Sequence, residues 1–141
     1  MPAHLRIDRT ALSFRAFPGT KGCVALLHGM LASHHYISSV VGPCLHPWRL
    51  LLPDLLGFGD SAKPPVDFTV DDHLACLLDL IEKEGTPRPL VLGGHSLGCL
   101  LATAAAARLP GGTVSGFVFL NYPRFTSPGL IHETLRGGSR Q

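Results

Sequence analysis

Charge is scarce in this sequence. Only 16% of its 141 residues are Asp, Glu, Lys or Arg, twelve basic against ten acidic, and no run of like charge occurs. A formal net charge of +2 without a basic block leaves no electrostatic footprint for nucleic acid or for an anionic membrane surface. The partner expected is therefore a small neutral molecule, as substrate or ligand. The four cysteines, Cys23, Cys44, Cys76 and Cys99, form no CxxC pair. They read as buried thiols of a cytoplasmic protein rather than as a disulfide frame or a zinc site. No export signal is visible either, because Arg6, Asp8 and Arg9 stand where the apolar core of a signal would be. One stretch without a formal charge, 89–107, has the length of a membrane helix. Gly93, Gly94, His95 and Gly98 interrupt it, and no membrane span is expected.

What the chain has instead is apolar content. With 45% hydrophobic residues and a mean hydropathy of +0.26, it excludes disorder and is long enough to bury one core. Its pattern alternates strands with helices, which favours a mostly parallel α/β sheet flanked by helices. The runs 12–17 (LSFRAF), 23–29 (CVALLHG), 49–54 (RLLLPD), 89–94 (PLVLGG) and 115–121 (SGFVFLN) read as strands. The second and fourth are continuous apolar runs, as strands covered on both faces are. Ser33 is positioned to cap a weak helix. Thr69 and Asp72 form a capping box ahead of Val70, Leu74, Leu77, Leu78 and Ile81 at helical spacing, in a helix ending near Gly85. A third helix, 97–109, is alanine-rich and is closed by Pro110 and two glycines. The expected organisation is a core over 1–121 and an irregular tail over 122–141.

The chemistry centres on Gly94-His95-Ser96-Leu97-Gly98, a GxSxG pentapeptide placed where a buried strand turns into a helix. That context is the test for a nucleophile elbow. A sharp strand-to-helix turn brings backbones together at Gly94 and Gly98 and holds the serine in a strained conformation that projects its hydroxyl. The helix start aims free N–H groups at any oxyanion formed there, that of Leu97 first. A second donor is expected from the Met30 N–H, after the strand that ends at His28-Gly29.

At this point the chain resembles the α/β-hydrolase family, in which an HG pair after the third strand faces a GxSxG elbow after the fifth. The run DLLGFGDSAKP agrees, matching the family's D-x-x-G-x-G-x-S loop with Asp54, Gly57, Gly59 and Ser61. The resemblance covers Leu12 to about Asn121. It implies Ser96 as nucleophile, with the backbone N–H groups of Met30 and Leu97 as oxyanion hole and His28, Gly29, Gly94, His95 and Gly98 in support. The usual chemistry of such a fold is hydrolysis of an ester, amide or related carbonyl compound through an acyl-enzyme. A serine at this position argues against the dehalogenase and epoxide-hydrolase branches, which carry an aspartate. No metal or organic cofactor is implied.

Other readings of the same residues are weaker. GFGDSA mimics a dinucleotide fingerprint, but Pro64 and Pro65 follow where its helix must start. The glycines from 93 to 98 have P-loop spacing, but Cys99 and Leu100 replace the required Lys and Ser/Thr. His34 and His35, consecutive on a helix, point about 100° apart and do not form a chelating pair; they are expected at the surface or the pocket rim. His28 is expected to hold the oxyanion loop by hydrogen bonding. Ser96 as a plain helix cap is the duller alternative to a nucleophile.

The family's acid and base follow the nucleophile along the chain. After Ser96 the sequence offers only His132 and Glu133, consecutive and in the wrong order, while Asn121 stands where a family variant places the acid. Three readings follow: a hydrolase truncated after about the sixth strand, a short form that binds without catalysis on a partial hydrolase fold, or a minimal enzyme using His132. The last strand is expected to present an open edge and to promote self-association.

Overall fold

A computed structural model describes residues 12–124. Five strands and three helices follow in the order β1 (Phe14–Phe17), β2 (Cys23–Leu27), α1 (His34–Val41), β3 (Arg49–Pro53), α2 (Val70–Lys83), β4 (Leu90–His95), α3 (Leu97–Arg108) and β5 (Val114–Leu120). They form one sheet in the spatial order β1-β3-β2-β4-β5. β1 runs antiparallel to β3, and every other pairing is parallel. The α/β architecture expected from the alternating pattern is therefore present, with one antiparallel strand at the edge.

The register explains why β2 is apolar throughout. Val24 faces Leu50 of β3 on one side and Val91 of β4 on the other, so β2 is the central strand. Alternate residues of a strand point to opposite faces. Cys23, Ala25 and Leu27 pack with Leu74, Leu77, Leu101 and other residues of α2 and α3. Val24 and Leu26 pack with Ile37 of α1 and with Leu50 and Leu52. At β2 both faces of the sheet are covered, and a polar residue at any position of this strand would be buried without water.

The helices begin where local chemistry dictates. Thr69 Oγ1 accepts from Asp72 N–H at 3.2 Å while the Asp72 carboxylate accepts from Thr69 N–H at 2.8 Å, closing the expected capping box of α2. Such a cap contributes about 1 kcal/mol. Ser33 caps α1 by accepting from His35 N–H. In α3 the fully buried Ala102 and Ala105 keep the helix thin on the side facing the sheet. No described helix is long and apolar enough to cross a membrane. His132, Glu133 and most of the expected tail lie outside the described residues.

Candidate active site

The elbow is built by the junction of β4 and α3. β4 ends at His95, α3 begins at Leu97, and the residue between them, Ser96, has φ 52° and ψ −113°. For a residue with a β-carbon this is a strained backbone, of the kind that persists only where its surroundings fix it. They do so here through two hydrogen bonds. Ser96 N–H donates to Leu120 O of β5 at 3.1 Å, and Ser96 O accepts from Cys99 N–H at 3.0 Å. The Ser96 hydroxyl makes no capping bond to its own helix, unlike those of Ser33 and Thr69.

The neighbouring glycines let the loop after β2 come close. A β-carbon on Gly94 would lie 2.4 Å from Leu27 O, and one on Gly29 would lie 2.9 Å from His95 Nδ1. The HG pair and the elbow therefore touch. Met30 and Leu97, the two residues expected to donate to an oxyanion, line one pocket of about 290 Å³ together with Phe58 and Phe68. Leu97 is the first residue of α3, so its N–H has no intrahelical acceptor. The Met30 N–H likewise donates to no other described residue.

His28 is fully buried and its hydrogen bonds fix its tautomer. Nε2 accepts from Leu55 N–H at 2.8 Å, so Nδ1 carries the proton and donates to Gly29 O at 2.6 Å. Burial lowers its pKa below the ordinary histidine value; the Gly29 carbonyl and Asp54 oppose this in part, and His34 adds to it. A neutral His28 thus clamps the loop that carries Met30 to the start of the loop after β3. His95, half-buried at the end of β4, meets the ring of Tyr36 edge-on at 5.8 Å.

Beneath this loop lies a buried network around Asp54, which has no exposed surface. Its carboxylate accepts from His34 N–H at 2.8 Å, from His34 Nδ1–H at 2.8 Å and from Asp60 N–H at 3.0 Å. Burial pushes the carboxyl up, but the bonds from His34 and Asp60 together outweigh it and hold the pKa below the ordinary carboxylate value. Ser61 Oγ donates to Asp54 O at 2.6 Å and accepts from Ser13 N–H at 2.9 Å. The loop after β3 is thereby tied to the start of α1 and to the residue before β1.

His34 corrects an expectation. It is buried rather than at the surface or the rim, and its ring lies 4.2 Å from that of His35 despite the helical offset. Its spacing to Ile37 and Val41, three and seven residues on, was the signal for a core-facing position. Two further residues were not singled out from the sequence. Tyr36 accepts from Gly29 N–H through its hydroxyl at 3.2 Å, and His73 forms part of the wall of the pocket beside Leu97. No group of three or more His, Cys, Asp or Glu suited to a metal occurs among the described residues. No described imidazole hydrogen-bonds to the Ser96 hydroxyl.

A family model of the alpha/beta hydrolase fold matches residues 23–137, and the chain belongs to that family. Probable lysophospholipase BODYGUARD 1 of Arabidopsis thaliana is 31% identical over 117 residues, covering 79% of this chain and 25% of that protein. A haloalkane dehalogenase of Mesorhizobium japonicum is 34% identical over 105 residues, covering 72% of this chain and 32% of that protein. Among solved structures, a thermophilic esterase from Thermogutta terrifontis superposes with a TM-score of 0.72 at 28% identity, over 86% of this chain and 44% of that one. The chain spans about a quarter of the length of the first curated relatives it matches.

Proposed function

We propose that Ser96 is the nucleophile of a serine hydrolase acting on a carboxylic ester, amide or related carbonyl compound through an acyl-enzyme. The observation that carries this reading is the backbone of Ser96, strained at φ 52° and ψ −113° on the strand-to-helix turn with an uncapped hydroxyl. Ser96 Oγ attacks the carbonyl carbon and gives its proton to a base. The oxyanion so formed accepts from the Leu97 and Met30 N–H groups, and the alcohol or amine leaves with a proton. Water then cleaves the acyl-serine ester. Each such oxyanion donor contributes on the order of 10²–10³ in turnover. Relatives named as a lysophospholipase, a lipase and an esterase favour an ester. Other relatives are haloalkane dehalogenases, but a serine at the elbow suits acyl transfer.

A second reading, ligand binding without turnover, is favoured by one observation: no described imidazole bonds to the Ser96 hydroxyl. Both readings meet one experiment. The chain is treated with a fluorophosphonate, with and without added imidazole as a surrogate base, and its adducts are mapped by mass spectrometry. A nucleophile set in a preformed oxyanion hole is labelled at Ser96 in preference to the other serines, faster with imidazole, and not in Ser96→Ala. Labelling spread evenly over the serines, or none at Ser96 with imidazole present, overturns the hydrolase reading in favour of binding alone.

A further inference from the structure

Gly29 immediately precedes one of the two oxyanion donors, and glycine is the residue type with the most backbone freedom. A β-carbon there would stand 2.9 Å from His95 Nδ1, so glycine fits the close approach. The loosest joint of the loop therefore lies where the position of the Met30 N–H has to be kept. Two side chains close that joint, one on each of the peptide planes that meet at Gly29. His28 Nδ1–H donates to the Gly29 carbonyl at 2.6 Å. That carbonyl shares its plane with the Met30 N–H, which points the opposite way across a trans peptide. The preceding plane carries the Gly29 N–H, which donates to the Tyr36 hydroxyl at 3.2 Å. Gly29 is buried, so loss of that acceptor leaves its N–H without water as a substitute.

Tyr36 stands on a fixed base. It is the third residue of α1, whose start is tied to the core by His34, with its N–H and its ring both bonded to the Asp54 carboxylate, and by the buried Ile37. Its ring also meets that of His95 edge-on at 5.8 Å, and His95 directly precedes Ser96. One side chain thus touches both halves of the site, the loop that carries Met30 and the turn that carries the serine. We infer that Tyr36 is a positioning residue of the oxyanion hole: its hydroxyl fixes Gly29, and through Gly29 the place of the Met30 N–H relative to Ser96. This rests on the serine-hydrolase reading for the use of that N–H, and not for the contact itself. Core filling is the task of its neighbour, since Ile37 is 6% exposed and Tyr36 is 39% exposed.

Tyr36→Phe removes the hydroxyl and keeps the ring. Two rates are read in the 141-residue chain, at low micromolar concentration and well below its melting transition. One is hydrogen exchange of the Gly29 amide, resolved by fragmentation mass spectrometry; the other is fluorophosphonate labelling of Ser96 with imidazole added. Ile37→Val, on the same helix, lowers stability without touching Gly29 and is the control. In Tyr36→Phe the Gly29 amide exchanges about tenfold faster and Ser96 is labelled about tenfold more slowly, while in Ile37→Val labelling stays within about twofold of wild type. Labelling of Tyr36→Phe at the wild-type rate, or equal slowing in Ile37→Val, overturns the proposal and leaves the hydrolase reading standing. No labelling of wild-type Ser96 removes the hydrolase reading instead. The Gly29 amide then decides by itself whether Tyr36 holds the loop, and an unchanged exchange rate refutes it. If Tyr36→Phe does not fold, the wild-type chain gives the answer: protection of the Gly29 amide supports the hold, and exchange at the rate of an unstructured peptide sinks it.

Discussion

Gly98 passes so close to Leu27 that a β-carbon on it would stand 2.0 Å from the Leu27 carbonyl oxygen. The first turn of α3 is thus pressed against the end of the central strand β2, and the same oxygen constrains Gly94 from the other side of the elbow at 2.4 Å. Neither glycine has a positive φ. They serve by absence of bulk rather than by conformational freedom, and the strained torsion is left to Ser96. This contact sets the distance between the loop carrying Met30 and the helix start carrying Leu97.

Gly98→Ala therefore forces backbone against backbone, with no flexible side chain to yield. Overpacking of this kind costs typically 1–3 kcal/mol and is expected near ~3 kcal/mol here. The melting temperature falls by roughly 10 °C or more for a domain of this size. Gly111→Ala, whose β-carbon meets nothing within 4 Å, is the control and leaves the melting point within about 2 °C. Equal melting points for the two variants would show that α3 moves away from β2 at little cost.

Turnover is expected to be poor in the 141-residue chain. Removal of the base from a serine triad lowers kcat by roughly 10⁶, and the oxyanion donors alone retain only a small residue of activity. With no described imidazole on Ser96, hydrolysis of p-nitrophenyl acetate stays close to background and is unchanged in His132→Ala. Robust turnover abolished by both Ser96→Ala and His132→Ala would identify His132 as the base.

Acid should weaken the fold in two steps. Burial holds the pKa values of His28 and His73 below their ordinary 6.5, so below that pH the unfolded chain binds protons that the folded chain refuses. Stability is insensitive to these rings above pH 6.5 and falls as pH drops from there through their folded-state values. For Asp54 the sign is that of a depressed carboxyl. Its contribution is full above the ordinary 3.8 and is lost as pH falls through the lower folded value. Urea midpoints measured from pH 7 to pH 5 decline, and less steeply in His73→Leu; a flat profile over that range contradicts the buried neutral state of both rings.

Most of the fold was legible because its signals are local. The box of Thr69 and Asp72 marks the start of α2 to the residue, and the glycines flanking Ser96 mark a turn that only a close approach requires. The direction of β1 was not legible. Its residues from Phe14 to Phe17 carry no mark that distinguishes antiparallel from parallel pairing, since the hydrogen-bonding partner lies across the sheet at Leu50 to Pro53. The polar interior of the site was hidden for the same reason. His34 reaches Asp54 twenty residues away, Tyr36 reaches back to Gly29, and His73 is set beside Leu97 only by the packing of α2 on α3. The role of Asp54 itself was readable only as one letter of a motif; three hydrogen bonds to its carboxylate give the physical reason for that letter.

The last strand carries the final prediction. β5 pairs with β4 on one side, and among the described residues no strand pairs with its other edge. Phe117, Val118, Phe119 and Leu120 are 37–53% exposed, so the open edge is apolar on both faces. The stack of Phe117 on Phe119 at 5.2 Å and the contact of Phe119 with Tyr122 at 5.0 Å cover only part of one face. A free edge with β-branched and aromatic side chains is a template for a second strand, and natural sheets blunt such edges with charge. The 141-residue chain is therefore expected to self-associate with rising concentration. Val118→Lys places a charge on the half-exposed face of that edge and shifts the population toward monomer. Sedimentation from about 5 to 100 μM distinguishes the outcomes. A wild-type chain that stays monomeric and melts cooperatively at the upper concentration shows that the edge is sealed within the chain, and Val118→Lys then lowers its melting point instead of its association.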